Sequence, residues 1–129
     1  MPEPKNKKTG LQQGKRERYF QPSILLGLYS RPSYGYELIQ NIQKFGFVEG
    51  HAPPGMIYRH LHQMEGDGLV SSEWNTEDGG PAKRMYYLTE EGREMLALWV
   101  GYMDRQAEIL NAFVEQYRAA YEEQGGKPG

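Results

Sequence analysis

The chain is 129 residues long, has no cysteine, carries a formal net charge of −2 and is 38% hydrophobic, with ten Tyr and four Phe. That length admits one compact domain plus a peripheral element, and the absence of thiols excludes a disulfide framework, a thiolate metal site and a cysteine nucleophile. The mild acidity argues against a uniformly basic nucleic-acid binder, so any such role must rest on local charge.

No apolar run approaches the roughly 18 residues of a membrane span, and the basic N-terminus lacks the apolar centre of a secretion signal. A cytoplasmic chain with no membrane contact is expected. Residues 1–18 set Lys5, Lys7, Lys8, Lys15, Arg16 and Arg18 against Glu3 and Glu17. With Pro2, Pro4, Gly10 and Gly14 and hardly an apolar residue, this stretch cannot offset its ordering entropy. It reads either as a flexible solubilising tail or as an arm that follows phosphates when DNA is bound.

A first helix is predicted from about Gln21 to Ser30. Pro22 suits its first turn, and Pro32 disfavours helix at Arg31. Ile24, Leu25, Leu26, Leu28 and Tyr29 make it apolar nearly all round, as a core helix is. Ser33 is expected to cap a second helix, Tyr34 to Phe45, which Gly46 ends. Leu38, Ile39, Ile42 and Phe45 keep the helical period and face inward, while Gly35 inside a turn points to close helix packing. Tyr34 and Tyr36 are placed either to pack or to touch DNA phosphates.

After a loop over 46–52, Pro53 and Pro54 start a third helix that Gly68 stops. Ile57, Leu61 and Met64 repeat at helical spacing and form its buried stripe. Its other faces carry Gly55, Met56, Arg59, His60, His62 and Gln63. Gly55 and Met56 let the backbone approach a groove, Arg59 suits a phosphate or a guanine edge, and Gln63 suits adenine. Taken alone, the same face also fits a helix that is merely solvated.

The next stretch weighs against that bland reading. Leu69 to Asn75 and Lys83 to Leu88 are rich in alternating, β-branched and aromatic residues, and Thr76 to Ala82 turns between them on Gly79, Gly80 and Pro81. Trp74, Met85 and Tyr87 are expected to pack on the helices. Lys83 and Arg84 stand at the base of this hairpin, where cations can meet phosphates or a minor groove, and Glu77 and Asp78 partly offset them. A helix that can enter a groove beside a hairpin that can grip is a winged helix-turn-helix.

Thr89 caps a last helix reaching about Glu123, with Glu90 and Glu91 at its positive end. Leu96, Trp99, Met103, Gln106, Leu110, Phe113, Tyr117 and Ala120 advance by alternating steps of three and four, a heptad seam, and Leu98, Tyr102, Ile109 and Val114 widen it. At 1.5 Å per residue this helix is about 50 Å long, more than a small winged helix covers. A symmetric dimer is expected along Leu96, Trp99, Met103, Leu110, Phe113 and Tyr117. It would hold two reading helices at a fixed separation over a palindromic operator in double-stranded DNA.

These residues resemble the PadR family of bacterial transcriptional regulators. The likeness lies in Ser33, Tyr34, Gly35, Tyr36, Glu37 and Leu38, then in Gly55, Met56, Ile57 and Tyr58 with Leu61, Met64, Glu65, Gly68, Leu69 and Val70. It runs on through Tyr86, Tyr87, Leu88, Thr89 and Gly92, and covers about residues 19–120. It implies a dimeric repressor that meets DNA through Tyr58, Arg59 and Gln63, with Lys83 and Arg84 on the wing. Arg59 departs from the proline many members carry there. A narrower likeness, in Tyr58 to Leu61, Ser72 to Trp74 and Gly80 to Arg84, is to a branch of poly-β-hydroxybutyrate-responsive repressors and implies a polymer signal. Other members take flat aromatic compounds at the dimer interface, which makes Trp99, Tyr102 and Met103 candidate effector-pocket residues, although aromatic and Met stripes at helical spacing more often simply pack as interface core.

The fold expected is mainly α with a small β-hairpin wing: a flexible tail over 1–18, a winged helix-turn-helix over 19–89, a dimerisation helix over 90–124 and a disordered end over 125–129. The DNA-binding set is Tyr36, Gly55, Met56, Tyr58, Arg59, His60, Gln63, Lys83 and Arg84. No cofactor or metal is expected, since His60 and His62 point about 200° apart on the third helix and His51 sits in a loop. With no phosphate-cradling glycine loop and no nucleophile–base pair, an enzyme is the weaker class. A winged helix serving only protein contacts is the other alternative, and the acidic balance suits it.

Overall fold

The computed structural model describes residues 17–48, 53–76 and 79–126. Helix α1 (Phe20–Ser30) buries Phe20, Ile24, Leu25 and Leu28. Leu26 and Tyr29 are exposed instead of lying in the core. The helix is apolar beyond what its neighbours cover, and the Arg93 guanidinium stands 5.2 Å from the Tyr29 ring centre on that open side.

Strand β1 (Ser33–Tyr34), which no sequence pattern announces, precedes α2 (Gly35–Asn41). The expected cap is displaced by it. Ser33 is fully buried opposite Tyr86 in the sheet, and the backbone N–H of Tyr34 donates to Glu37 Oε1 at 3.0 Å to close the first turn. The second helix then tightens into a 3₁₀ turn (Ile42–Phe45) and stops at Gly46, whose φ of 92° only glycine adopts readily.

Helix α3 (Pro54–Gly66) opens on the two prolines as expected. It ends in a Schellman turn, with the Gly68 N–H donating to the Glu65 carbonyl at 3.1 Å and the Leu69 N–H to the Met64 carbonyl at 2.9 Å. Ile57, Leu61 and Met64 form its buried stripe.

Strands β2 (Val70–Asn75) and β3 (Lys83–Leu88) pair antiparallel from Val70 opposite Leu88 to Asn75 opposite Lys83. With β1 they make a sheet in the order β1-β3-β2. Tyr86 fills the helix-facing side, where burial pushes its hydroxyl pKa up and keeps it neutral. Trp74 points to the same side but is 64% exposed, covered by the Arg84 guanidinium at 4.8 Å and not by the helices. Met85 and Tyr87 alternate onto the opposite side and are half-buried.

Helix α4 (Glu90–Glu123) is capped by Thr89, whose Oγ1 accepts the Gly92 N–H at 3.0 Å. The Thr89 Oγ1 also lies 2.7 Å from the Gly68 carbonyl oxygen and 2.9 Å from that of Leu69, fixing the start of α4 to the end of α3. The chain divides into two compact units after Leu96. Leu96 itself is buried at 8% exposure, so it belongs to the head and not to an open seam.

In the second unit, from Ala97 onward, the described residues are helix as far as Glu123. The Gly125 and Gly126 N–H groups close α4 by donating to the carbonyls of Glu122 at 3.0 Å and Tyr121 at 2.9 Å. Most of the basic tail, the acidic pair Glu77 and Asp78, and the loop residue His51 lie outside the described residues. Among the described residues, no helix is long and apolar enough to cross a membrane.

Candidate nucleic-acid interface

The buried stripe of α3 fixes what its far side presents. Met56, Arg59 and Gln63 recur at helical spacing opposite Ile57, Leu61 and Met64; Arg59 and Gln63 are exposed and Met56 is half-buried. Gly55 is open, and nothing lies within 4 Å of where a Cβ would stand. Tyr58 flanks this face but also packs. Its ring fills the place of a Gly35 side chain, with Cε1 at 2.5 Å from an ideal Cβ there, so the expected close approach of α2 and α3 is made through an aromatic ring.

His60 does not join the exposed face. Its ring meets the edge of Phe20 at 5.5 Å between centres, and Nε2 is 3.0 Å from Glu17 Oε2. The same oxygen accepts from Arg59 Nη2 at 3.0 Å. The carboxylate at the end of the basic tail therefore sits on the exposed cation of α3. Both side chains are substantially solvated, so the pair is weak and open to exchange with another anion.

Lys83 and Arg84, read together from the sequence, are separated by the alternation of β3. Arg84 is half-buried. Its guanidinium lies 4.8 Å from the Trp74 ring centre, and its Nε–H donates to Ser72 Oγ at 2.9 Å. Ser72 Oγ–H donates in turn to Glu65 Oε2 on α3 at 2.7 Å. This relay locks the hairpin to α3 and leaves Arg84 occupied. Lys83 is exposed on the opposite side, over the rings of Tyr34 and Tyr36. No single residue of the sequence signals that grouping, because Tyr34 reaches β3 through the unforeseen strand β1.

Residues 24–98, more than half of the chain, match the model of the transcriptional regulator PadR-like family. The chain belongs to the PadR-like family of transcriptional regulators. This PadR-like chain is 32% identical over 78 residues to the probable transcriptional regulator Rv1176c of Mycobacterium tuberculosis, over 60% of its own length and 41% of the relative's. It is 38% identical over 63 residues to transcriptional regulator Rv3488 of the same organism, over 49% and 55% of the two lengths. It thus spans about half the length of the curated relatives it matches. A crystal structure of a PadR family transcription regulator from Clostridium difficile R20291 aligns with a TM-score of 0.65 at 25% identity, over 74% of this chain and 98% of that one. The family is one of regulators, not of enzymes.

The second unit of this PadR-like chain carries the remaining candidates. Leu110, Phe113 and Tyr117 are 64%, 75% and 60% exposed, and Leu98 and Ile109 are also open. Trp99 and Met103 are half-buried, and the Trp99 ring meets Tyr102 edge-on at 6.0 Å. One helix thus displays a large apolar surface to water, which a soluble monomer rarely does.

Proposed function

We propose that this chain is a homodimeric repressor that binds a palindromic site in double-stranded DNA, with residues 19–89 reading and residues 90–124 dimerising. The observation that carries the reading is the placement of two exposed cations, Arg59 on α3 and Lys83 on the wing, beside an open helix face bearing Gly55 and Gln63. Phosphate contacts need cations on the surface that meets the duplex, whatever the net charge of the chain. Here Arg59 and Lys83 supply them, Gln63 and Met56 face the base edges, and Tyr58 and Tyr36 border them. Arg84 and His60 support the surface from behind.

The exposed side chains Ile109, Leu110, Phe113 and Tyr117 of α4 support pairing with a second copy. A signal that releases the repressor would act at Trp99, Tyr102 and Met103, where an aromatic compound could stack; the likeness to polyhydroxybutyrate-responsive repressors makes the polymer the other effector to test.

The test is affinity for DNA from the chain's own upstream region across a salt series. Log affinity is expected to fall linearly and steeply with log salt. Arg59→Ala and Lys83→Ala are each expected to weaken binding about tenfold and to reduce the salt slope by about one. Binding that ignores salt, or no binding to the upstream DNA, would favour a winged helix used for protein contacts, a reading the net charge of −2 supports.

A further inference from the structure

Lys83 is an exposed wing cation whose ammonium lies over two aromatic rings at once. Its ammonium stands 5.6 Å from the ring centre of Tyr34 and 5.5 Å from that of Tyr36. Those two rings are nearly parallel, with centres 5.8 Å apart and planes 4° from each other. The shelf they make is anchored. Tyr34 lies in β1 opposite Met85, and its hydroxyl accepts from Asn75 Nδ2 at 2.8 Å. Asn75 is the register partner of Lys83 on the last rung of the β2–β3 pairing. One rung of the hairpin therefore supplies both the bond that fixes the first ring and the cation that lies over the pair.

We propose that Tyr34 and Tyr36 act as an aromatic shelf that holds the Lys83 ammonium in place for a backbone phosphate, so that Tyr36 serves DNA binding as a positioning residue acting through Lys83. The inference rests on the DNA-binding reading above and deepens it. A lysine has more rotamer freedom than most side chains, and binding a phosphate with a free one costs that freedom. Two ring faces within about 6 Å attract the ammonium electrostatically without neutralising it. Among the described residues no ion pair holds the Lys83 ammonium, and part of the ordering cost has been met before DNA arrives. Arg59 provides the contrast within the same surface. Its Nη2 is paired with the Glu17 carboxylate in a solvated contact, which a phosphate binding at that nitrogen exchanges with.

The experiment combines side-chain NMR of the free protein with affinity for a duplex from the chain's own upstream region, measured for wild type, Tyr36→Leu, Tyr36→Phe, Lys83→Gln and the Tyr36→Leu/Lys83→Gln pair. Tyr36 is 52% exposed, so none of these changes removes core, and thermal melts check that the fold is kept. The Lys83 methylene protons are expected upfield of ordinary lysine values in wild type and Tyr36→Phe, and to move back in Tyr36→Leu. Tyr36→Leu is expected to weaken binding about two- to fivefold, the range of an exposed cation–π contact. In the Lys83→Gln background the same change is expected to have no further effect, and Tyr36→Phe is expected to match wild type.

An equal loss from Tyr36→Leu with and without Lys83 would overturn the proposal and make Tyr36 a contact in its own right. So would a loss in Tyr36→Phe equal to that in Tyr36→Leu, which would assign the effect to the hydroxyl. Lysine shifts that do not respond to Tyr36 would show that no shelf exists. If wild type binds no DNA, the functional reading fails, while the lysine shifts still decide whether the rings hold the cation.

Discussion

Gly92→Ala is expected to lower the melting temperature of the head by more than about 12 °C, while Gly101→Ala on the same helix leaves it unchanged or raises it. Gly92 occupies the first turn of α4 where the helix crosses the end of α3. A Cβ built there overlaps the backbone carbonyl oxygen of Leu69 and stands 2.5 Å from Leu88 Cδ1. That carbonyl is not free to retreat. It already accepts from the Thr89 N–H at 3.2 Å and lies beside the Thr89 hydroxyl, so moving it breaks the cap that seats the helix. Overpacking of this kind costs about 3 kcal/mol when backbone must move, and each kcal/mol shifts the melting point of a domain this size by about 4–8 °C. Gly101 has nothing within 4 Å of its Cβ position, so alanine there adds only helix propensity, up to about 1 kcal/mol. Calorimetry of the two variants decides the matter. A Gly92→Ala protein that melts with wild type would mean that α4 does not seat against Leu69 as described.

Leu110→Asp together with Phe113→Asp is expected to convert a dimer into a folded monomer. Both side chains stand well exposed on a helix that the second unit leaves uncovered. Burying each against a partner contributes about 1.5–3 kcal/mol, and symmetry counts each twice. Loss of all four amounts to about 6 kcal/mol or more, roughly four decades in the dissociation constant, before the cost of burying a carboxylate is added. The head carries its own core, with Ile24, Leu25, Leu38, Ile42, Ile57 and Leu61 fully buried, so it should keep its melt. Sedimentation velocity at micromolar concentration reads the result directly. A double variant that still sediments as a dimer would place the interface elsewhere.

Much of the fold was legible because its elements are punctuated by residues with few alternatives. Pro53 and Pro54 can open a helix but not continue one, and Gly46 and Gly68 stop helices by taking positive φ angles of 92° and 79°. The stripe of Ile57, Leu61 and Met64 then settled which side of α3 faces outward. What stayed hidden depended on partners distant in the chain. Strand β1 is two residues with no pattern of their own, yet it carries Tyr34 to Lys83. Glu17 reaches Arg59 and His60 across more than 40 residues of sequence, which no local spacing encodes. Leu96 fits the heptad of the seam perfectly well, but the period cannot tell which turn of a long helix still belongs to the core. The opposed sides of Lys83 and Arg84 follow from strand alternation and could have been read from the sequence.

The proposed dimer joins two copies along α4 and presents two α3 faces to a single duplex. Native mass spectrometry of the full chain, mixed with a duplex from its own upstream region, counts the copies in each complex. Two chains per duplex at low protein concentration, lost together as salt rises, is the predicted result. A complex with one chain per duplex, or a mass that shows protein and DNA apart at every salt concentration, would contradict it.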